Sequence, residues 1–271
     1  MTRTIAIASG KGGVGKTTIA ANLGIAIAAT GKKVIILDAD IDMANLELAL
    51  GMEGRPLTLQ DVVSGEANIE DALYETYNKA LFMPAGISPA QQRRIDPEKL
   101  PELVEKLAEM ADFVILDCPA GTGKDTLACF NACKETLLVV IPEKMSVADA
   151  YKTAQAAQRM GSSVTGVIIN MITGERGEIK DKEIAALLNA PILARIKLDP
   201  AIKKSVASGK PIVISDPENE NVEEIHKLVA SLTGAAYIPE LPKKSWLKKI
   251  ISFLKFKRGD TKHGRGDKQA F

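Results

Sequence analysis

Residues 10–18 have the composition and spacing of a phosphate-binding loop. Four positions match the pattern G-x-x-x-x-G-K-[ST]: Gly10, Gly15, Lys16 and Thr17. An apolar run at residues 5–8 precedes the loop, and helical apolar spacing over residues 19–27 follows it. Glycine has no Cβ, so the backbone can curl until its N–H groups converge on phosphate oxygens beside a helix N-terminus. The stretch predicts a nucleotide site.

The side chains of this loop predict ATP and Mg²⁺ as ligands. Lys16 is expected to reach the β- and γ-phosphates, and the Thr17 hydroxyl to ligate Mg²⁺. The alternative, a chance match in a glycine-rich turn, is expected in roughly 1% of chains of this length. The predicted nucleotide-binding residues of the loop are Gly10, Lys11, Gly12, Gly13, Val14, Gly15, Lys16, Thr17 and Thr18.

Two apolar runs end in carboxylates. Residues 33–37 lead to Asp38 and Asp40, and residues 113–116 lead to Asp117. Carboxyl ends of parallel strands meet at the ligand-binding edge of an open α/β sheet, so we expect these carboxylates near the phosphates. Asp117 is predicted to hold Mg²⁺ through a water, with Asp38 beside the metal. The alternative is that Asp38 and Asp40 cap a helix over residues 43–50.

A second lysine, Lys11, makes the loop unusual. The string K-G-G-V-G-K-T-T resembles the deviant Walker A motif of the MinD/ParA ATPases. The resemblance implies that Lys11 reaches across an ATP-bound dimer to phosphates held by the partner subunit. The alternative for Lys11 is a solvated loop charge.

The resemblance extends to about residue 235 and implies further site residues. Asp40 matches the residue that positions the attacking water, and Asn170 matches one that hydrogen-bonds the adenine edge through its donor and acceptor. Pro200, in a loop after the last strand, is expected to contact the base. A turn role is the alternative for Asn170. The expected catalytic residues are Lys11, Lys16 and Asp40, and the expected metal residues are Thr17, Asp38 and Asp117.

Strand and helix patterns alternate along the chain. This predicts an α/β fold, a mainly parallel P-loop NTPase sheet with helices on both faces, plus a C-terminal amphipathic helix. The predicted strands lie at residues 33–37, 81–86, 113–117, 136–142 and 164–169, and the predicted helices at 43–50, 97–110, 146–160 and 221–232, with short helices within 55–75. We expect an ATPase domain at residues 1–238 and a separate tail at 239–271.

Composition indicates a globular cytoplasmic protein. The 271 residues are 46% hydrophobic and 25% charged, with no signal-peptide pattern and no apolar run of membrane-spanning length. Of the three cysteines, Cys129 and Cys133 are spaced to share one helix face, so a cluster between subunits is an alternative, as in nitrogenase-type iron proteins. Without a C-x-x-C motif we expect core thiols and no iron–sulfur cluster.

Charge is divided unevenly between the body and the tail. Residues 243–271 hold ten Lys/Arg and two Asp, a balance of +8, while the other 242 residues hold 25 basic and 32 acidic side chains. The tail is therefore expected to meet an anionic partner. A body with a balance of −7 argues against DNA as a ligand.

The tail contains an amphipathic pattern. After a linker with Pro239 and Pro242, residues 245–256 are expected to form a helix whose lysines flank an apolar arc of about 160° at roughly 100° per residue. This pattern is typical of a helix lying on an anionic membrane, although the protein's own core or a partner groove are alternatives. The arc contains Trp246, Leu247, Ile250, Ile251, Phe253 and Leu254.

The resemblance, nearest to the MinD branch, implies an ATP-hydrolysing enzyme that dimerises with ATP and binds the inner face of the cell membrane reversibly. We expect it to position the division septum, with an activator or inhibitor protein as a further partner. The alternatives are positioning of flagella or other surface structures, chromosome partition of the ParA type, an iron–sulfur carrier, and a non-enzymatic membrane adaptor gated by nucleotide.

Overall fold

The structure is a computed structural model that describes residues 2–86 and 96–234. The amphipathic helix predicted at 245–256 lies outside these residues. The division of the chain at residue 238 and the membrane-binding role of the tail therefore stay predictions.

The core of the fold is one eight-stranded sheet with the order β3-β4-β2-β5-β1-β6-β7-β8. Every neighbouring pair is parallel except β3 and β4, so the predicted mainly parallel sheet is confirmed. The strands are β1 Arg3–Ala8, β2 Val34–Asp38, β3 Tyr74–Glu75, β4 Leu81–Met83, β5 Phe113–Asp117, β6 Glu135–Val140, β7 Ser163–Ile172 and β8 Ile192–Lys197.

Ten α-helices of the described chain connect and cover these strands: α1 Lys16–Ala28, α2 Leu46–Leu50, α3 Leu59–Ser64, α4 Leu100–Met110, α5 Lys124–Ala132, α6 Lys144–Arg159, α7 Asp181–Leu188, α8 Pro200–Ala207, α9 Ile212–Ser215 and α10 Glu220–Thr233. Short 3₁₀ helices span Glu70–Ala72, Tyr77–Lys79 and Pro97–Lys99.

Successive side chains of a strand point to opposite faces, and both faces of this sheet are covered. In β1, Ile5 and Ile7 pack in an apolar cluster with α1 and α10, while Ala6 and Ala8 belong to a second cluster with α4, α5 and α6. Burial on both faces explains why the central strands are apolar runs rather than alternating patterns. Helices on both faces, as predicted, are thus confirmed.

Helix α1 lies so close to the sheet that a side chain at one of its positions would displace a side chain of β2. A Cβ at Gly24 would lie 2.4 Å from Cδ1 of Ile36 in β2. The helix is apolar on nearly every side because α10 covers the face turned away from the sheet. Helix α1 begins at Lys16, within the loop over residues 10–18, and this packing holds it against the sheet.

Several predicted boundaries shift in the structure. Helix α2 starts at Leu46 rather than residue 43, because the carboxylates of Asp38 and Asp40 bind the backbone N–H groups of Leu46 and Met43. Strand β7 continues to Ile172, so Asn170 lies within it. Residues 74–75, expected among short helices, form the antiparallel edge strand β3 instead.

None of the helices within residues 2–86 and 96–234 has the length and apolar character that crossing a bilayer requires.

Candidate active site

The glycine-rich loop joins β1 to α1 at the carboxyl edge of the sheet. Gly13 and Gly15 have φ values of 78° and 92°, in the left-handed region that favours glycine. Val14 between them is buried and anchors the loop in the core. The loop therefore leaves β1 along a path that only a glycine-rich sequence adopts without strain.

Two contacts join this loop to neighbouring segments. A Cβ on Gly10 would lie 2.2 Å from the Asp149 carbonyl carbon, so α6 packs directly against the start of the loop. Ser9 donates from Oγ to the Lys11 carbonyl at 2.8 Å, and its own carbonyl accepts the Gly121 N–H at 2.9 Å. Ser9 precedes the sequence motif, which gave no signal of this link to the segment after β5.

The two lysines of the loop have opposite environments. Lys16 is buried at 7% exposure, and its charge opposes the rise in the pKa values of the Asp40 and Asp117 carboxyls. Lys11 is exposed to solvent. Lys16 is thus held within the site, whereas Lys11 is available to a group outside this chain.

Asp38 and Asp117 lie side by side, since the β2–β5 register pairs these two residues. Both oxygens of Asp38 accept backbone N–H groups, from Asp40 and Leu46 at 3.1 Å each. The capping alternative for Asp38 is therefore correct in part. Asp117 receives a side-chain hydrogen bond from Thr17, while its buried Oδ1 has no partner among the described residues.

Burial dominates the electrostatics of this carboxylate pair. It raises the pKa of Asp117 to about 7, against the Thr17 hydrogen bond and the Lys16 charge. The pKa of Asp38 is also raised, first by burial and then by the negative charge of Asp117. Two buried carboxylates with one unsatisfied oxygen form an environment that a cation would stabilise.

These residues fit Mg²⁺ held together with a nucleotide. Mg²⁺ keeps several waters and takes only one or two protein groups besides phosphates. Across residues 2–86 and 96–234, no group of three or more His, Cys, Asp or Glu side chains is arranged to hold a metal alone. Thr17 and Asp117 are the groups that would hold Mg²⁺. Asp38 lies beside Asp117 on the neighbouring strand.

We expect the stability of the ligand-free protein to fall as the pH rises from about 4 to 7. The pKa of Asp117 is about 7 in the folded chain and 3.8 when exposed, so between these values only the folded chain keeps the proton. The free energy of unfolding then falls by at most about 1.4 kcal/mol per pH unit for one such group. Urea unfolding at several pH values, without Mg²⁺ or nucleotide, measures the slope. Asp117→Asn should flatten it; equal slopes in both proteins would contradict the prediction.

Asp40 is half-buried in the segment that follows β2. Its carboxylate accepts the Met43 N–H at 3.2 Å. Burial raises its pKa, Lys16 counteracts this, and Asp42 and Asp125 add to the rise. Asp125 lies in the first turn of α5, and the sequence analysis did not associate it with the site. The structure thus places Asp40 within the electrostatic reach of Lys16, as expected for a residue beside the phosphates.

Of the expected base-binding residues, Asn170 lies in β7, and Pro200 begins α8, the helix after the neighbouring strand β8. Asn170 is buried and donates from Nδ2 to the Val14 carbonyl at 2.7 Å. One of the two amide hydrogens is therefore used within the chain. The second hydrogen and the carbonyl oxygen are left for the base, so the expected pairing with the adenine edge stays a prediction. Pro200 is the exposed first residue of α8, next to β7 because the Leu198 N–H donates to the Ile172 carbonyl at 2.9 Å.

All three thiols lie in the apolar core. Cys118 and Cys129 are fully buried and Cys133 is 3% exposed, in the cluster that includes α4 and α5. Burial raises the pKa values of Cys118 and Cys133. Cys129 and Cys133 do not present the exposed face that a cluster shared between subunits requires, which supports the core interpretation.

Sequence comparisons identify relatives along most of the chain. The model of the ParA family, which is described as NUBPL iron-transfer P-loop NTPase, matches residues 1–233. An uncharacterized ATP-binding protein of Methanocaldococcus jannaschii is 44% identical, with 94% of this chain and 97% of the relative covered.

Solved structures agree in fold. The septum site-determining protein MinD of Pyrococcus horikoshii, complexed with Mg-ADP, is 35% identical with a TM-score of 0.83, covering 88% of this chain and all of that one. The MinD of an Aquifex aeolicus MinC:MinD cell division complex is 32% identical with a TM-score of 0.79, covering 89% and 98%.

Proposed function

Because the chain belongs to the ParA/MinD family of P-loop NTPases, whose ligands are ATP and Mg²⁺, we propose that it is a MinD-type ATPase that dimerises with ATP and positions the division septum. The observation that carries this proposal is the contrast between buried Lys16 and exposed Lys11 in one phosphate loop. One lysine serves the chain's own nucleotide, and the other remains free to serve the nucleotide of a second copy.

The proposed reaction is attack of water on the γ-phosphate of ATP, giving ADP and phosphate. Lys16 and the loop N–H groups bind the phosphates and stabilise the charge that develops on them. Asp40 orients the attacking water from its position beside Lys16. Bound Mg²⁺ supplies further positive charge next to Thr17 and Asp117.

Exposed apolar side chains on the segments that follow β2 and β6 support a dimer that covers the carboxyl edge of the sheet. Met43, three residues beyond Asp40, is 67% exposed, and Met145, in the first turn of α6, is 70% exposed. Large apolar groups at such exposure favour burial against another protein surface. A second copy bound over the loop would bury them and bring its own Lys11 to the phosphates.

Reversible membrane binding by residues 245–256 completes the proposed function. It is supported by the amphipathic pattern and the +8 charge balance of residues 243–271. Septum placement is the role that the name of the P. horikoshii relative carries, and the complex from A. aeolicus suggests a MinC-like protein as partner. The protein would then act at the inner face of the cell membrane.

Specific observations weigh against two rival functions. Iron transfer, named in the description of the family model, would need thiols that reach a cluster or a partner, and the three thiols of this chain are buried. DNA partition would favour a basic body, whereas residues 1–242 carry a balance of −7. Positioning of other surface structures uses the same chemistry and differs only in the partner.

Replacing Asp40 with alanine tests the enzymatic part of the proposal. We expect turnover to fall about tenfold to 100-fold, because a residue that positions the attacking water acts after the nucleotide is bound. ATP affinity and ATP-dependent dimerisation should persist. Steady-state phosphate release, nucleotide titration and light scattering measure the three properties.

Asp42→Ala is the matched control, since Asp42 is a neighbouring carboxylate with no assigned role in the reaction. Loss of ATP binding in Asp40→Ala, with normal turnover per bound nucleotide, would show that Asp40 is structural or a metal ligand. Absence of turnover in the unaltered protein, with and without anionic vesicles, would favour a nucleotide-gated adaptor over an enzyme.

A further inference from the structure

We propose that Asn170 is a positioning residue for the phosphate loop, and that its amide sets the direction of the Gly15 N–H whether or not a base is bound. The sequence assigned Asn170 to the adenine edge. The structure adds a second task, carried out by the other end of the same side chain, and this task concerns the phosphates.

The first observation is a hydrogen bond between β7 and the loop. Asn170 Nδ2 donates to the Val14 carbonyl at 2.7 Å, and the side chain is only 6% exposed. A carbonyl oxygen accepts and cannot donate, so the NH₂ end of the amide must face Val14. The orientation of the amide is therefore fixed by chemistry.

The second observation is the planarity of the peptide bond between Val14 and Gly15. The carbonyl and the N–H of one trans peptide unit point in opposite directions. By holding the Val14 carbonyl toward β7, Asn170 turns the Gly15 N–H away from β7, where it would meet a phosphate bound by the loop. Among the described residues, the Gly15 N–H has no acceptor of its own.

The third observation is that Gly15 makes room for this contact. A Cβ at residue 15 would lie 2.3 Å from Asn170 Nδ2, and the φ of Gly15 is 92°. The amide thus occupies the space that any other residue would fill. Gly15 is required both for its backbone conformation and for the approach of Asn170, and the two residues act as one unit.

A consequence distinguishes this role from base recognition. If Asn170 served only the base, its loss would weaken ligands that contain adenine and leave a ligand without a base unaffected. If it orients the Gly15 N–H, its loss must also weaken inorganic tripolyphosphate. The inference rests on nucleotide binding by the loop, and neither hydrolysis nor dimerisation enters it.

The test compares tripolyphosphate with ATP on the full chain in the presence of Mg²⁺. Displacement of a fluorescent ATP analogue gives both affinities even where tripolyphosphate binds weakly. We expect Asn170→Ala to weaken tripolyphosphate binding about three- to tenfold, the range for one lost hydrogen bond. Asn170→Leu, similar in size but without a donor at any pH, should weaken it at least as much.

A second readout follows the loop directly. In a protein labelled with ¹⁵N-glycine, tripolyphosphate should shift the Gly15 amide resonance, and both variants should reduce that shift. Asn189→Ala, which removes an asparagine from the turn after α7, is the matched control and should leave affinity and shift unchanged. Thermal unfolding without ligand verifies that each variant is folded.

The possible results distinguish loop positioning from base recognition. Parallel losses for ATP and tripolyphosphate support the positioning role. A loss confined to ATP, or no loss for either ligand, would overturn it. Such a result would leave the proposed ATPase function intact, since that function is tested by turnover in the unaltered protein.

Discussion

Lys16→Ala is expected to remove productive ATP binding, with an affinity loss of at least about 100-fold. The lysine is buried beside two carboxylates and supplies a point charge to the β- and γ-phosphates from within the loop. A charged hydrogen bond contributes about 1.5–3 kcal/mol, and Lys16 is expected to make more than one. Nucleotide titration in Mg²⁺ measures the loss directly.

Lys11→Ala is the matched control in the same loop. Lys11 is exposed, so its loss should leave ATP binding by a single chain nearly unchanged while weakening the ATP-dependent dimer. The two variants therefore separate binding from association. Unchanged ATP affinity and turnover in Lys16→Ala would refute the assignment of the loop. Equal loss of ATP affinity in both would show that Lys11 acts on its own nucleotide.

Truncation before Lys243 is expected to abolish binding to anionic vesicles while sparing ATP-dependent dimerisation. One short amphipathic helix and its lysines, at roughly 1 kcal/mol per lysine on anionic lipid, bind marginally. Two tails on one dimer bind together, which can raise avidity ~10²–10⁴-fold without a new contact. Vesicle binding should therefore be much stronger with ATP than with ADP.

Co-sedimentation with vesicles containing anionic lipid, in ATP and in ADP, measures this coupling. Vesicles of neutral lipid are the control for charge, and Lys11→Ala is the control for dimerisation, because it keeps both tails intact but weakens their pairing. A truncated protein that still sediments would show that the tail is not the anchor. Equal binding in ATP and ADP would contradict the coupling while leaving the tail as an anchor.

The sequence by itself predicted the mainly parallel sheet, the phosphate loop and the residues expected in the site. Apolar runs such as residues 113–116 have no polar face, which indicates strands buried on both sides. The spacing of Gly10, Gly15, Lys16 and Thr17 identified the phosphate loop, because phosphate binding by backbone N–H groups requires glycine at fixed positions. These are local requirements, and local sequence is enough to express them.

Tertiary contacts determined where some helices begin and which short segments pair as strands. Helix α2 starts at Leu46 because two carboxylates hold the preceding backbone, and a periodic pattern does not encode that competition. The strand at Tyr74–Glu75 exists because β4 is beside it. Short segments like these take their structure from neighbours that are distant in sequence.

Local sequence also could not predict how deeply the charged groups are buried or which groups surround them. The motif predicts different roles for Lys16 and Lys11, but it is the packing around the loop that buries Lys16 and leaves Lys11 exposed. Asp38 and Asp117, far apart in the chain, share one buried site because β2 and β5 pair in register. The Asn170 amide reaches Val14 only because β7 ends beside the loop and Gly15 has no Cβ. Sequence predicts which groups do the chemistry, and tertiary structure determined their distances and burial, on which charge and hydrogen bonding depend.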